Sequence, residues 1–192
     1  MRKLEVKDLW PLPVYEGVRD QFRREVIAAK RVRRVGVGPS TTFVFENRLT
    51  VKFQAQEILR AERIAAEEQV REELEGFNTM LPGPGELSAT LLIELSGGDA
   101  EVKAALARLT RIGDHLWLEI DGQRIRGTME GGRDDGRRIS AVQYVRFPVR
   151  DGAALQKGPA AILIDHPAYT HREELPDEVR GALARDLVPE GA

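Results

Sequence analysis

Residues 41–64 read TTFVFENRLTVKFQAQEILRAERI, and the parsing of this stretch decides the fold. Phe43, Val44 and Phe45 precede the polar triplet Glu46-Asn47-Arg48; Leu49, Thr50, Val51, Lys52 and Phe53 follow it. Aromatic and β-branched residues on both sides of a short polar turn predict a β-hairpin. From about Gln54 the period changes to that of a helix running to about Glu75 and ending near Gly76. Ala55, Ile58, Leu59, Glu62, Ala65 and Ala66 share one face, so Glu62 is expected inside the apolar stripe, with Glu57 and Arg60 on a neighbouring face. Acidic and amide groups are costly to bury without partners. Gln54, Glu57, Arg60 and Glu62 therefore make the first candidate site.

Upstream, Tyr15, Val18, Phe22, Val26 and Ala29 recur at helical spacing between Pro13 and Gly36 and form one apolar stripe. Downstream, the pattern predicts a strand over 89–95, a helix over 101–111, an alternating strand over 115–120 with Leu116, Leu118 and Ile120 pointing one way and His115, Trp117 and Glu119 the other, and a hairpin centred on Asp121-Gly122, where both turn positions must tolerate positive φ. A polar, Gly-rich loop over 130–138 is expected to be mobile. Strands over 139–149 and 160–164 and a helix over 176–187 complete the reading. The sum is α+β: a mainly antiparallel twisted sheet of about six or seven strands, with about four helices packed largely on one face. One domain is expected, with an N-terminal helical segment over 1–38 and a sheet-based core with a C-terminal helix over 41–192.

Composition narrows the functional classes. With 42% hydrophobic residues the chain can bury a core, and a net charge of −2 gives no global attraction to nucleic acid or anionic membrane. Cysteine is absent, which excludes disulfides, thiolate metal sites and a Cys nucleophile. The first ten residues lack the apolar run of a signal peptide, and no stretch reaches the ~18 apolar residues of a membrane span. A cytoplasmic, bacterial-type protein is expected.

The second candidate site is residues 165–171, DHPAYTH, directly after a predicted strand. Two imidazoles and a carboxylate in seven residues can hold a divalent metal, and a His can act as general base near neutral pH. On this reading Glu62, His166 and His171 are the metal ligands, His166 and Glu57 the catalytic candidates, and Arg60, Gln54 and Tyr169 the ligand-binding groups. The plainer reading has Asp165 and His166 bonding the turn, Tyr169 packing on the core and the helical acids pairing with arginines. A third candidate is the basic run Lys30, Arg31, Arg33 and Arg34 before Gly36 and Gly38. It can hold phosphate or nucleic acid, but glycines that follow a helix do not make a P-loop, and cations at a helix end also answer the macrodipole. No Ser nucleophile elbow, dinucleotide fingerprint, kinase set or zincin helix occurs.

Several stretches, in order along most of the chain, resemble a bacterial family catalogued as domain of unknown function 3501. They are LEVKDL at 4–9, the RDQFR core within 15–30, residues 45–64, EELEGFNTML at 72–81, ATLLIEL at 89–95, SAVQYVRF at 140–147 and DHPAYTH at 165–171. The resemblance implies a cytoplasmic protein without an assigned activity. Genes of this family often neighbour those of a rubrerythrin-like diiron protein and an iron–sulfur oxidoreductase. By association this implies a redox setting and a protein partner. The leading expectation is thus an accessory or interaction protein that docks through a sheet edge or the helix over 54–62. The alternative is a small metal- or ligand-binding enzyme with Glu57 and Glu62 facing His166 and His171.

Overall fold

A helix, not a second strand, follows Glu46. In the computed structural model, which describes residues 1–132, 134, 136, 138–149 and 152–188, the chain begins with a 3₁₀ turn, Val6–Asp8. Helix α1, Leu12–Arg31, comes next. Its start lies before Pro13, which is tolerated in the first turn because no N–H partner is needed there. Residues 34–36, expected at a basic helix end, form the short strand β1, Arg34–Gly36. Strand β2, Thr41–Glu46, is buried throughout.

The predicted hairpin strand over 49–53 is instead part of α2, Arg48–Ala61. Asn47 caps it: its side chain accepts from Thr50 N–H at 3.0 Å, and its own N–H donates to the Thr50 hydroxyl at 2.9 Å. That reciprocal cap, with Val51, Ala55 and Leu59 on the buried face, outweighs the β-propensity of Val51 and Phe53. The single long helix is also two. Arg63 takes a left-handed φ of 57°, Ile64 N–H closes on Leu59 C=O and Arg63 N–H on Arg60 C=O. This is a Schellman stop with Arg where Gly is usual. Helix α3, Glu67–Asn78, starts afresh beyond it.

The remaining elements are β3 (Leu87–Ile93), α4 (Asp99–Ala107), β4 (Leu116–Ile120), β5 (Gln123–Arg126), β6 (Thr128–Met129), β7 (Val142–Phe147), α5 (Gly152–Lys157), β8 (Ala160–His166), β9 (Tyr169–Glu174) and α6 (Asp177–Asp186). The Asp121-Gly122 turn is as expected, with φ of 48° and 77°. The loop over 130–138 lies in part outside the described residues.

The fold is α+β and mainly antiparallel. Among the described residues there are six helices, and the strands divide into two sheets, β1-β2-β3-β7-β6 and β5-β4-β8-β9. Gly127 carries the chain from one sheet to the other; a Cβ there would lie 2.8 Å from the Phe147 ring and 3.0 Å from Val145. Phe43, Phe45, Leu91, Val145 and Phe147 of the first sheet meet Leu116, Leu118, Ile162 and Ile164 of the second in one buried core, joined by Leu155, Val179 and Leu183 from α5 and α6. On the opposite face of the first sheet, α2 and α3 bury Val51, Ala55, Leu59, Val70 and Leu74. Helix α1 packs beyond them through Tyr15, Phe22 and Val26. The second sheet buries alternate residues inward, and its other residues form an outer face.

Candidate functional site

Strand alternation builds that outer face. Trp117 and Glu119 of β4 stand opposite Arg126 and Arg124 of β5 and opposite Leu163 and Ala161 of β8. Arg172 of β9 lies opposite Leu163, and Thr170 opposite Asp165. The inner partners Leu116, Leu118, Ile162 and Ile164 are fully buried, which fixes the direction of the outer set.

Asp165 is the hub. Its Oδ1 accepts from the Trp117 indole N–H at 3.0 Å and lies 3.2 Å from His115 Nδ1; Arg124 approaches Oδ2 at 3.8 Å. The Trp117 hydrogen bond, against desolvation and with help from His115 and Arg124, holds this carboxyl below the usual carboxylate range. A carboxylate partner favours the tautomer with the proton on Nδ1 and leaves Nε2 as the acceptor atom of His115. Glu119 accepts from Arg172 at 2.9 Å, with Arg124 at 3.6 Å. At the rim, Arg126 and Arg111 share Asp114 at 2.7 and 3.1 Å and border a cleft of about 540 Å³. The face thus combines one large aromatic ring with a mosaic of half-exposed arginines and acids.

The sequence-derived candidates fall elsewhere. Glu62 is exposed at the end of α2, not in an apolar stripe, because the helix stops there and residues 62–66 turn away. Glu57 accepts from Tyr15 OH at 2.8 Å and from both Arg19 Nε and Nη2 at 2.8 and 2.7 Å, with Arg60 Nε at 3.5 Å. Arg19 first, then Tyr15, outweigh desolvation and bring the Glu57 carboxyl down to about 2. Burial, with the Glu57 charge, pushes the Tyr15 phenol up. Gln54 donates to Glu46 at 3.1 Å. Glu46, whose place in the polar triplet 46–48 suggests an exposed turn, is only 3% exposed and also accepts from the Thr50 and Thr90 hydroxyls at 2.5 and 2.7 Å. These donors, beside the α2 N-terminus, satisfy the carboxylate without a cation.

His166 is 7% exposed. Its Nε2 lies 3.1 Å from Thr110 C=O, and its Nδ1 accepts from Ala168 N–H at 3.2 Å. The His115 ring meets it edge-on at 5.0 Å. Tyr169 OH donates to Val37 C=O at 2.7 Å and accepts from Ser40 N–H at 2.9 Å. His171 packs on Tyr169, 4.5 Å between ring centroids, and over Gly38, where a Cβ would lie 2.5 Å from its ring. Among the described residues no three His, Asp or Glu side chains gather as metal ligands, so Glu62, His166 and His171 do not meet. In the basic run, Arg33 is buried against Asp186 and Arg34 pairs with Glu94 at 3.0 Å.

His115 and Trp117 lie on the expected alternation of 115–120; their link to Asp165 is invisible in sequence because it depends on the β4–β8 register. Fold and site define a class: an antiparallel two-sheet α+β protein with one helix-covered sheet and one open, charge-tiled face. The chain belongs to the family described as Protein of unknown function (DUF3501), whose model matches residues 3–187. It is also similar to a crystal structure, at 1.90 Å resolution, of a novel protein of unknown function from Burkholderia pseudomallei K96243. The two are 32% identical with a TM-score of 0.90, over 97% of this chain and 100% of that one. No curated protein matches the chain. Among the described residues no helix is long and apolar enough to cross a membrane.

Proposed function

We propose that the protein is a non-catalytic accessory protein of a redox system, and that it docks a rubrerythrin-like diiron partner through the outer face of its second sheet. The observation that carries this reading is Trp117 at the centre of that face, oriented by Asp165 and ringed by Arg124, Arg126 and Arg172. Trp and Arg supply most hot spots of protein interfaces, and alternating charges around an aromatic anchor fix register more than affinity. The acidic and amide groups of α2, in contrast, are occupied by partners within the fold. The redox assignment rests on the gene neighbourhood of the family.

The test is calorimetric titration with a purified rubrerythrin-like protein encoded beside a member of this family. The doubly substituted Trp117→Ala/Arg124→Glu protein is expected to bind at least about tenfold more weakly than wild type. Equal affinity of the two would remove the outer face as the docking surface. No binding by the wild type at about 100 μM would remove the partner.

A further inference from the structure

Residues 2–9 lie as a strap across α2 and α3 and, among the described residues, pair with no strand. They are held much as a bound peptide is held. The Asn78 side-chain amide takes both backbone groups of Leu4: Oδ1 accepts its N–H at 2.8 Å and Nδ2 donates to its C=O at 3.0 Å. Gln56, fully buried, does the same for Trp10 where the strap joins α1, with both bonds at 3.0 Å. An amide that pairs with N–H and C=O of one residue reads main chain regardless of side chain, as an added strand does. Specificity comes from two further contacts. Leu4, 3% exposed, fills an apolar pocket in the cluster of Leu74, Met80 and Leu81. Four residues on, Asp8 meets Arg48 at 2.6 Å.

The strap does not fill its groove. A cleft of about 400 Å³ remains beside it, lined on the α3 side by Glu67, Arg71, Leu74, Glu75 and Asn78. If the strap leaves, the Asn78 amide loses both backbone partners, the Leu4 pocket opens to water and Arg48 loses its acid. Each loss is unfavourable until an equivalent segment replaces it.

We propose that the groove between α2 and α3 is a peptide-binding site, occupied in the free protein by residues 2–9, that accepts from a partner protein a segment carrying an apolar residue and, four positions later across a 3₁₀ turn like Val6–Asp8, an acid. Asn78 holds the main chain, the Leu74–Met80–Leu81 pocket takes the apolar side chain and Arg48 takes the acid. The intramolecular strap competes at high effective concentration, so the site is masked until the strap is displaced. This inference uses none of the residues of the outer face and stands or falls separately from it.

The probe is a fluorescein-labelled peptide of residues 1–9 read by anisotropy against full-length protein. The variant Leu4→Asp puts a charge into the apolar pocket and ejects the strap. It is expected to bind the peptide saturably, with the wild type at least about tenfold weaker because its own strap competes. Adding Asn78→Ala to that variant, or exchanging Asp8 of the peptide for Lys, is expected to cost about tenfold or more. A cooperatively folded Leu4→Asp protein that shows no saturation up to about 1 mM peptide overturns the proposal. Native-state hydrogen exchange on the wild type covers the case in which that variant does not fold. The Leu4 amide must then exchange by local opening, well before the amides of α2; exchange only through global unfolding overturns the proposal. Concentration-dependent dimerisation that Leu4→Asp abolishes would assign the groove to the strap of a second copy and overturn the partner assignment.

Discussion

The two tryptophans of the chain sit in opposite kinds of surroundings. Trp10, on the helical side, is stacked on Tyr15 at 6.2 Å, edge-on to Phe22 at 5.0 Å and covered by Lys52 Nζ at 3.6 Å, with its backbone gripped by Gln56. Trp117, on the outer face of the second sheet, has one directed partner, Asp165, among side chains that remain partly in water. The difference shows how to sort polar residues beside apolar surface. On the helical side Glu46 and Glu57 are closed by donors from neighbouring elements and fix α1, α2 and β3 against one another. On the outer face the charges pair with each other at the surface, where solvent screens them and a partner can reach them.

This contrast can be broken by measuring stability. The largest effect is expected for the buried pair that ties the end of α1 to α6: Arg33→Ala leaves Asp186 without its cation and should cost about 3–5 kcal/mol in urea unfolding. Glu46→Ala removes the carboxylate acceptor of Thr90 and the closer of two acceptors from Thr50 and Gln54 and should cost about 1–3 kcal/mol. A loss near zero would mean that the helical side is not closed in the way described.

Glu57 sharpens the comparison through pH. Its folded pKa of about 2 lies below the ordinary 4.5, so its contribution to stability is complete above pH 4.5 and is lost as pH falls toward 2. The stability gap between wild type and Glu57→Gln should therefore be constant from neutral pH to about 5 and then narrow through that window. A gap independent of pH would show that the Arg19 and Tyr15 contacts do not depend on the charge. The smallest effect is expected on the outer face: Arg172→Ala removes an exposed partner of Glu119 and should change stability by less than about 1 kcal/mol.

The same contrast governs what was legible in sequence. The Asp121-Gly122 hairpin, the apolar stripe of α1 and the α+β class follow from local chemistry. The start of α2 does not, because Leu49 to Phe53 carry strand-like residues and the deciding cap at Asn47 draws its strength from a helix whose other face must already be packed. The stop after Ala61 was hidden because Arg63 adopts a conformation usually left to glycine; a helix drawn through it turned Glu62 inward and suggested a pocket. The division of the strands into two sheets rests on Gly127, whose lack of a side chain matters only against Phe147 and Val145. Of the outer face, the alternation of His115, Trp117 and Glu119 was readable, whereas the meeting of His115 with Asp165, fifty residues away, awaited strand register.

The most direct test of the outer-face claim uses both tryptophans at once. In ¹⁵N-labelled protein titrated with a purified rubrerythrin-like partner, the two indole N–H resonances report the two regions separately. The Trp117 indole is expected to shift or broaden in proportion to complex formed, with Trp10 unchanged. Movement of Trp10 with Trp117 untouched would contradict it.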